Sequence, residues 1–187
     1  MKYIAFFKPF GVLSTFTDSE GRPTISDYVP VPGVYAAGRL DLRSEGLLLL
    51  TDDGGLIHKL THPKYEHPKT YLAQVEGTVT ESAVKQLEKG VVISGYKTKP
   101  AKAELIPAPY LPPRPEPVRD YHPTTWLKIV LREGKKHQVR KMTAAVAFPT
   151  LRLVRVAIGP LTLGELRSGE WRYLSAKEVN DLESLGE

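Results

Sequence analysis

Apolar residues recur along this chain in two rhythms. Residues 3–8 (YIAFFK), 33–37 (GVYAA) and 46–50 (GLLLL) are short, nearly continuous apolar runs, the pattern of buried strands. KTYLAQVEG (69–77) and TTWLKIVLRE (124–133) alternate with period two. Tyr71, Ala73 and Val75 share one side of the first, and Leu127, Ile129 and Leu131 share one side of the second. LRLVRVAIG (151–159) predicts another strand, with shorter strand-like pieces at 91–93 and 102–106.

Helical signals lie between these runs. TDDGGLIHKLTHP offers Asp52 or Asp53 as a cap and Pro63 as a stop, and TESAVKQLEKG is capped by Thr80 and closed by Gly90. GKKHQVRKMTAAVAF places Val139, Met142, Thr143 and Val146 on one helical face, with Lys136 and Arg140 as an adjacent basic stripe at i and i+4. SAKEVNDLESL begins with a capping box, Ser175 with Glu178. Strands and helices mix without regular alternation, which predicts an α+β fold with a mixed, mostly antiparallel sheet and flanking helices. Seven prolines in the seventeen residues 107–123 exclude a helix or inner strand there. That segment reads as a stiff loop, either touching a polyanion through Tyr110, Arg114, Arg119, Tyr121 and His122 or carrying no function.

With 187 residues the chain suits one domain, read as two subdomains of about 1–63 and 64–187 that share a cleft. No apolar run reaches membrane-span length, the start lacks the pattern of a signal peptide, and there is no cysteine. A cytoplasmic protein without disulfides or thiolate metal sites is expected. Charge changes the picture more. Residues 128–155 hold eight Lys or Arg against one acid, Glu133, whereas the remainder of the chain is slightly acidic within a net +5. Such a segment suits a polyanion, foremost a nucleic acid, or else a solvated basic helix.

Several candidate chemistries fail on spacing. His58 and His62 stand four apart, but Lys59 occupies the place where a metalloprotease helix needs glutamate. TDDGG is explained by a helix cap and its turn more simply than by a magnesium site, and no phosphate-binding glycine loop is present. No metal and no cofactor are expected. Asp41 is different: Gly38-Arg39-Leu40-Asp41 precedes the leucine run, and a carboxylate among buried strands must be compensated by a cation or by donors. Taken alone it fits either a surface turn pairing with Arg39 or a site.

FFKPFGVLST, GRLDLRSEGLLLLTDDG, KTYLAQVEG, LREGKKHQVRKM and LRLVRVAIG occur in this order from Lys8 to Gly159. Together they resemble the pseudouridine synthases of the branch typified by ribosomal small subunit synthase A. The resemblance implies that fold with a central RNA-binding cleft, in a member without an amino-terminal S4 module. It also implies isomerisation of a uridine in 23S ribosomal RNA, with 16S RNA or transfer RNA as other substrates, by a cytoplasmic monomer that binds ribosomal RNA and needs no cofactor. It assigns catalysis to Asp41, Tyr71 and Arg140. Asp41 either attacks the anomeric carbon or removes the neighbouring sugar proton, Arg140 pairs with it, and Tyr71 stacks on the uracil. Arg39 enters the space left by the flipped base, Val139 walls the base, and Lys69, Lys135, Lys136 and Lys141 bind substrate. Lys8 and Pro9 match a structural motif. The competing readings are a non-catalytic RNA-binding protein, from the basic segment alone, and a glycosidase, which would want a second carboxylate beside Asp41.

Overall fold

A computed structural model describes residues 1–119 and 121–185. Its strands and helices are β1 (Tyr3–Lys8), β2 (Tyr35–Ala36), β3 (Glu45–Thr51), α1 (Gly54–Thr61), β4 (Lys69–Glu76), α2 (Glu81–Lys89), β5 (Val92–Ile93), β6 (Tyr96–Lys97), β7 (Lys102–Ile106), β8 (Thr124–Leu131), α3 (Gln138–Ala145), β9 (Thr150–Ile158), β10 (Leu161–Thr162), β11 (Trp171–Tyr173) and α4 (Ala176–Glu183). The α+β expectation holds.

Local chemistry sets the helix limits. Asp53 accepts from Leu56 N–H at the start of α1, Thr80 from Ala83 N–H at the start of α2, and Ser175 with Glu178 closes the capping box of α4. Two expectations need correction. GVYAA yields only the two-residue β2, and Tyr35 is exposed because β2 is a short edge piece beside β3. The helix after the basic loop starts at Gln138, not earlier. His137 before it has φ 53° and ψ 33°, a left-handed conformation no helix continues through, so Lys136 lies in the loop and the Lys136–Arg140 stripe does not exist.

Nine strands form one sheet with the order β11-β1-β3-β9-β4-β8-β7, β2 lying on β3 and β10 on β9. Every pairing within each half is antiparallel, and the halves meet at a short parallel contact where Glu45 faces Val154 and Gly46 faces Arg155. The four-leucine run follows from burial on both faces of β3. Leu47 and Leu49 pack with Phe7, α1 and α4, while Leu48 and Leu50 pack with Ile4, Phe6, Ile25 and Val29. A third apolar cluster joins Ala73, Leu127 and Ile129 to Leu87 of α2 and Val139 and Met142 of α3.

The seam between the halves is held by charge as well as backbone. Arg152 of β9 donates from Nε and Nη2 to the two oxygens of Glu45, both at 2.9 Å, and from Nη2 to Pro112 O at 2.6 Å. That last bond, the Arg114 guanidinium 4.5 Å above the Phe10 ring, and Leu111 against the α1/α4 core tie the proline-rich segment across the seam. Asp120 of that segment lies outside the described residues. Because Glu45 is 2% exposed, removing its partner strands a buried charge. Arg152→Met is expected to cost about 3 kcal/mol in urea unfolding at neutral pH. A loss within ~0.5 kcal/mol, as for an ordinary surface substitution, would contradict this reading of the seam.

Candidate active site

Asp41 sits in the loop between β2 and β3, and that loop is fastened from several directions. Ser44 N–H donates to Asp41 O at 3.0 Å, Gly11 N–H to Leu42 O at 2.8 Å, and Leu40 exchanges two bonds with Ser14, N–H to Oγ at 3.0 Å and Oγ–H to O at 2.6 Å. Beneath it Lys8, fully buried, donates from Nζ to Pro9 O (2.9 Å), Val12 O (2.6 Å) and Leu42 O (3.3 Å). Burial lowers the Lys8 ammonium pKa to about 7, against the opposing pull of Glu45 and Asp41. The first motif therefore holds the Asp41 loop from below. Gly38 has φ +86°, a turn conformation that glycine adopts without strain, and its carbonyl accepts from Arg155 Nη2 at 3.3 Å.

Asp41 borders a cavity of about 560 Å³ at the junction of the two half-sheets. A volume of this size accommodates one nucleotide. Tyr71 and Lys69 reach it from the same face of β4, Leu153 and Arg155 from β9, Leu131 from β8, Val139 from α3, and Lys135, Lys136 and His137 from the loop after β8. Arg155 is 2% exposed and donates from Nε to Leu47 O at 2.9 Å, so it braces the floor across the seam. Withdrawal of Lys69 from water, reinforced by Arg155, holds its ammonium below the ordinary lysine pKa. Among the described residues, the buried side-chain polar atoms without a hydrogen-bond partner are Ser44 Oγ and His67 Nε2, and both residues line this cavity.

The structure thus brings Asp41, Arg39, Lys69, Tyr71, Lys135, Lys136 and Val139 onto one cavity. Arg140 and Lys141 stand outside its lining. Arg140 donates from Nη2 to Arg43 O at 3.1 Å, and burial lowers its guanidinium pKa while Asp41 opposes that shift. Lys141 Nζ donates to Ser94 Oγ at 3.1 Å. The side chain against the carboxylate is instead His137, whose Nδ1 lies 2.9 Å from Asp41 Oδ2. Sequence reasoning missed His137 and Arg155. The one available signal for His137 was a polar residue before a helix that has no Ser, Thr, Asp or Asn cap.

His62 and Asp53, from the two motifs weighed as metal sites, have local duties. His62 Nδ1 accepts from Lys64 N–H, capping a short 3-10 turn. Asp53 caps α1 and accepts from Tyr3 O–H at 2.8 Å, which lowers the carboxyl pKa, chiefly through the Leu56 N–H, and raises the Tyr3 phenol to about 12. TDDG is a cap, as its spacing predicts. No helix among the described residues is long and apolar enough to cross a membrane.

The model of the family described as RNA pseudouridylate synthase matches residues 2–145. Over 175 residues the chain is 53% identical to ribosomal large subunit pseudouridine synthase E of Vibrio parahaemolyticus, covering 92% of this chain and 74% of that protein. It is 50% identical over 177 residues to the protein of the same name from Xanthomonas campestris pv. campestris, covering 92% and 95%. A solved structure titled as the crystal structure of pseudouridylate synthase superposes with a TM-score of 0.81 at 33% identity, over 97% of this chain and 73% of that one.

Proposed function

The chain belongs to the RNA pseudouridylate synthase family, and from that premise we propose that it converts a uridine of large-subunit ribosomal RNA into pseudouridine, with Asp41 as the catalytic group. The observation that carries the assignment is the convergence on one nucleotide-sized cavity of Asp41, Tyr71 and a basic rim, from segments far apart in the chain. The large-subunit assignment rests on the names of the Vibrio and Xanthomonas relatives.

A uridine paired within folded RNA cannot place its ribose against Asp41. It has to leave the stack, at a cost of roughly a few kcal/mol. Arg39, exposed at the rim, fills the space that the base vacates, and Lys135 and Lys136 hold phosphates. Asp41 then meets the sugar, either at the anomeric carbon or at the neighbouring proton, and the N-glycosidic bond breaks. The uracil turns between the Tyr71 ring and Val139 and rejoins the ribose through C5. The hydrogen that C5 carried leaves as a proton, N1 takes one up and Asp41 is restored as the carboxylate, so the product is an isomer with no electron gained or lost; we assign the Tyr71 hydroxyl to relaying the C5 proton. Arg140, anchored on Arg43 O, adds positive potential at the Asp41 loop.

Incubation with an unmodified large-subunit transcript, followed by carbodiimide-dependent reverse-transcription mapping, is expected to show one new pseudouridine. Small-subunit and transfer RNA transcripts are expected to show none. A map empty on all three would sink the substrate assignment.

Two substitutions separate binding from chemistry. Lys135→Ala is expected to weaken RNA affinity and to lower the salt slope by about one, with turnover at saturating RNA within about twofold of the parent. Arg140→Ala is expected to reduce turnover far more than affinity. Equal effects on both quantities in both variants would remove this division of roles.

A further inference from the structure

The contact between His137 and Asp41 has two unusual supports. His137 carries no side-chain capping bond although it stands at the helix-start position, and its φ of 53° is a conformation that non-glycine residues adopt at a cost. The side chain that this backbone presents goes to Asp41, Nδ1 to Oδ2 at 2.9 Å, with both side chains about two-fifths exposed.

The second support is the loop that delivers it. Glu133, the single acid of the basic segment, is buried and accepts from Tyr96 O–H (2.6 Å), Lys99 N–H (2.7 Å) and Gln138 Nε2 (3.0 Å). Gln138 Oε1 in turn accepts from Lys135 N–H at 3.0 Å. The residues before and after His137 are therefore fastened to the β5–β6 hairpin and to each other.

At 2.9 Å the ring nitrogen stands within ion-pair distance of the carboxylate oxygen. We propose that His137 is the positioning residue of Asp41: its imidazole donates from Nδ1 to Oδ2 in the reacting complex and so leaves Oδ1 as the oxygen turned to the sugar. Arg140, three residues on, holds the backbone of the same loop through Arg43 O, so the two residues act on different parts of it. The inference rests on the isomerase reading above for its kinetic consequence, though not for the contact itself.

Two variants separate the ring from the backbone. His137→Gly keeps the left-handed conformation without strain and deletes the imidazole, whereas His137→Asn also tolerates that conformation and restores a donor of similar reach. With RNA in excess, the single-turnover rate constant of His137→Gly is expected to fall about 10- to 100-fold with the RNA Kd within about twofold, since misplacing a reacting group by about an ångström has effects of that size. His137→Asn is expected to recover most of the loss. An unchanged rate in His137→Gly, or a loss confined to Kd, would overturn the proposal, the second outcome marking His137 as a phosphate contact. A readout without RNA keeps the two readings apart. The ¹⁵N resonances of His137 in the intact protein are expected to report a protonated Nδ1 and to shift in Asp41→Asn. Resonances indifferent to that substitution would refute the contact while leaving the isomerase assignment untouched.

Discussion

Asp41→Asn is expected to reduce turnover by on the order of 10⁴-fold or more while leaving RNA affinity within about twofold, the signature of a group that acts only in the chemical step. The amide has nearly the shape of the carboxylate, so Leu40, Leu42 and Ser44 keep their bonds to Ser14, Lys8 and the turn. What disappears is the negative charge and the nucleophilic or basic oxygen. On the proposed reading, phosphate contacts from the rim are expected to carry most of the affinity without involving Asp41. Because the reaction exchanges the hydrogen on C5 for a bond to carbon, release of tritium from RNA labelled at C5 of uridine measures turnover directly. Substantial tritium release by Asp41→Asn would move the catalytic role elsewhere in the cavity.

Gly46→Ala is expected to destabilise the fold by about 5 kcal/mol, since left-handed strain and forced overlap each cost about 1–3 kcal/mol and here the overlap meets backbone that cannot give locally. Gly46 has φ +112°, and a Cβ built on it lies 2.2 Å from Arg155 O and 2.8 Å from Arg155 N. β9 would have to move away from β3, and Arg152 would move away from Glu45 with it. Thermal unfolding is expected to show a midpoint lower by roughly 10–20 °C, since each kcal/mol is worth about 2–4 °C in a chain of this size. A shift under about 3 °C would show that the seam can open at little cost.

The parts of this molecule legible in its sequence are those governed by neighbours along the chain. Asp53, Thr80 and Ser175 mark helix starts because capping needs only a side-chain oxygen two or three residues from an unpaired N–H. The alternation of Leu127, Ile129 and Leu131 shows the inward face of β8 for the same reason. The seam was not legible. Nothing local says that Gly46 lies against Arg155, or that Glu45 pairs with an arginine 107 positions later, since both depend on a two-residue parallel contact between distant strands. Nor was it evident that the proline-rich segment would be pinned by Arg152.

The candidate site divides in the same way. Asp41, Tyr71, Lys69 and Val139 were found through ordered motifs and converge on one cavity. The partner of Asp41 was missed, because a histidine that leaves the helical conformation one residue before α3 looks, in sequence, like one more member of that helix. That single left-handed residue also explains why Lys136 faces the cavity from a loop and Arg140 stands behind it.

Whether Asp41 of this chain makes a pseudouridine in large-subunit RNA is read by mapping ribosomal pseudouridines in the host with the gene deleted and then restored. Deletion is expected to remove one large-subunit pseudouridine, the parent gene to restore it, and the Asp41→Asn gene to leave it missing. A large-subunit map unchanged by deletion, or fully restored by Asp41→Asn, would contradict this assignment.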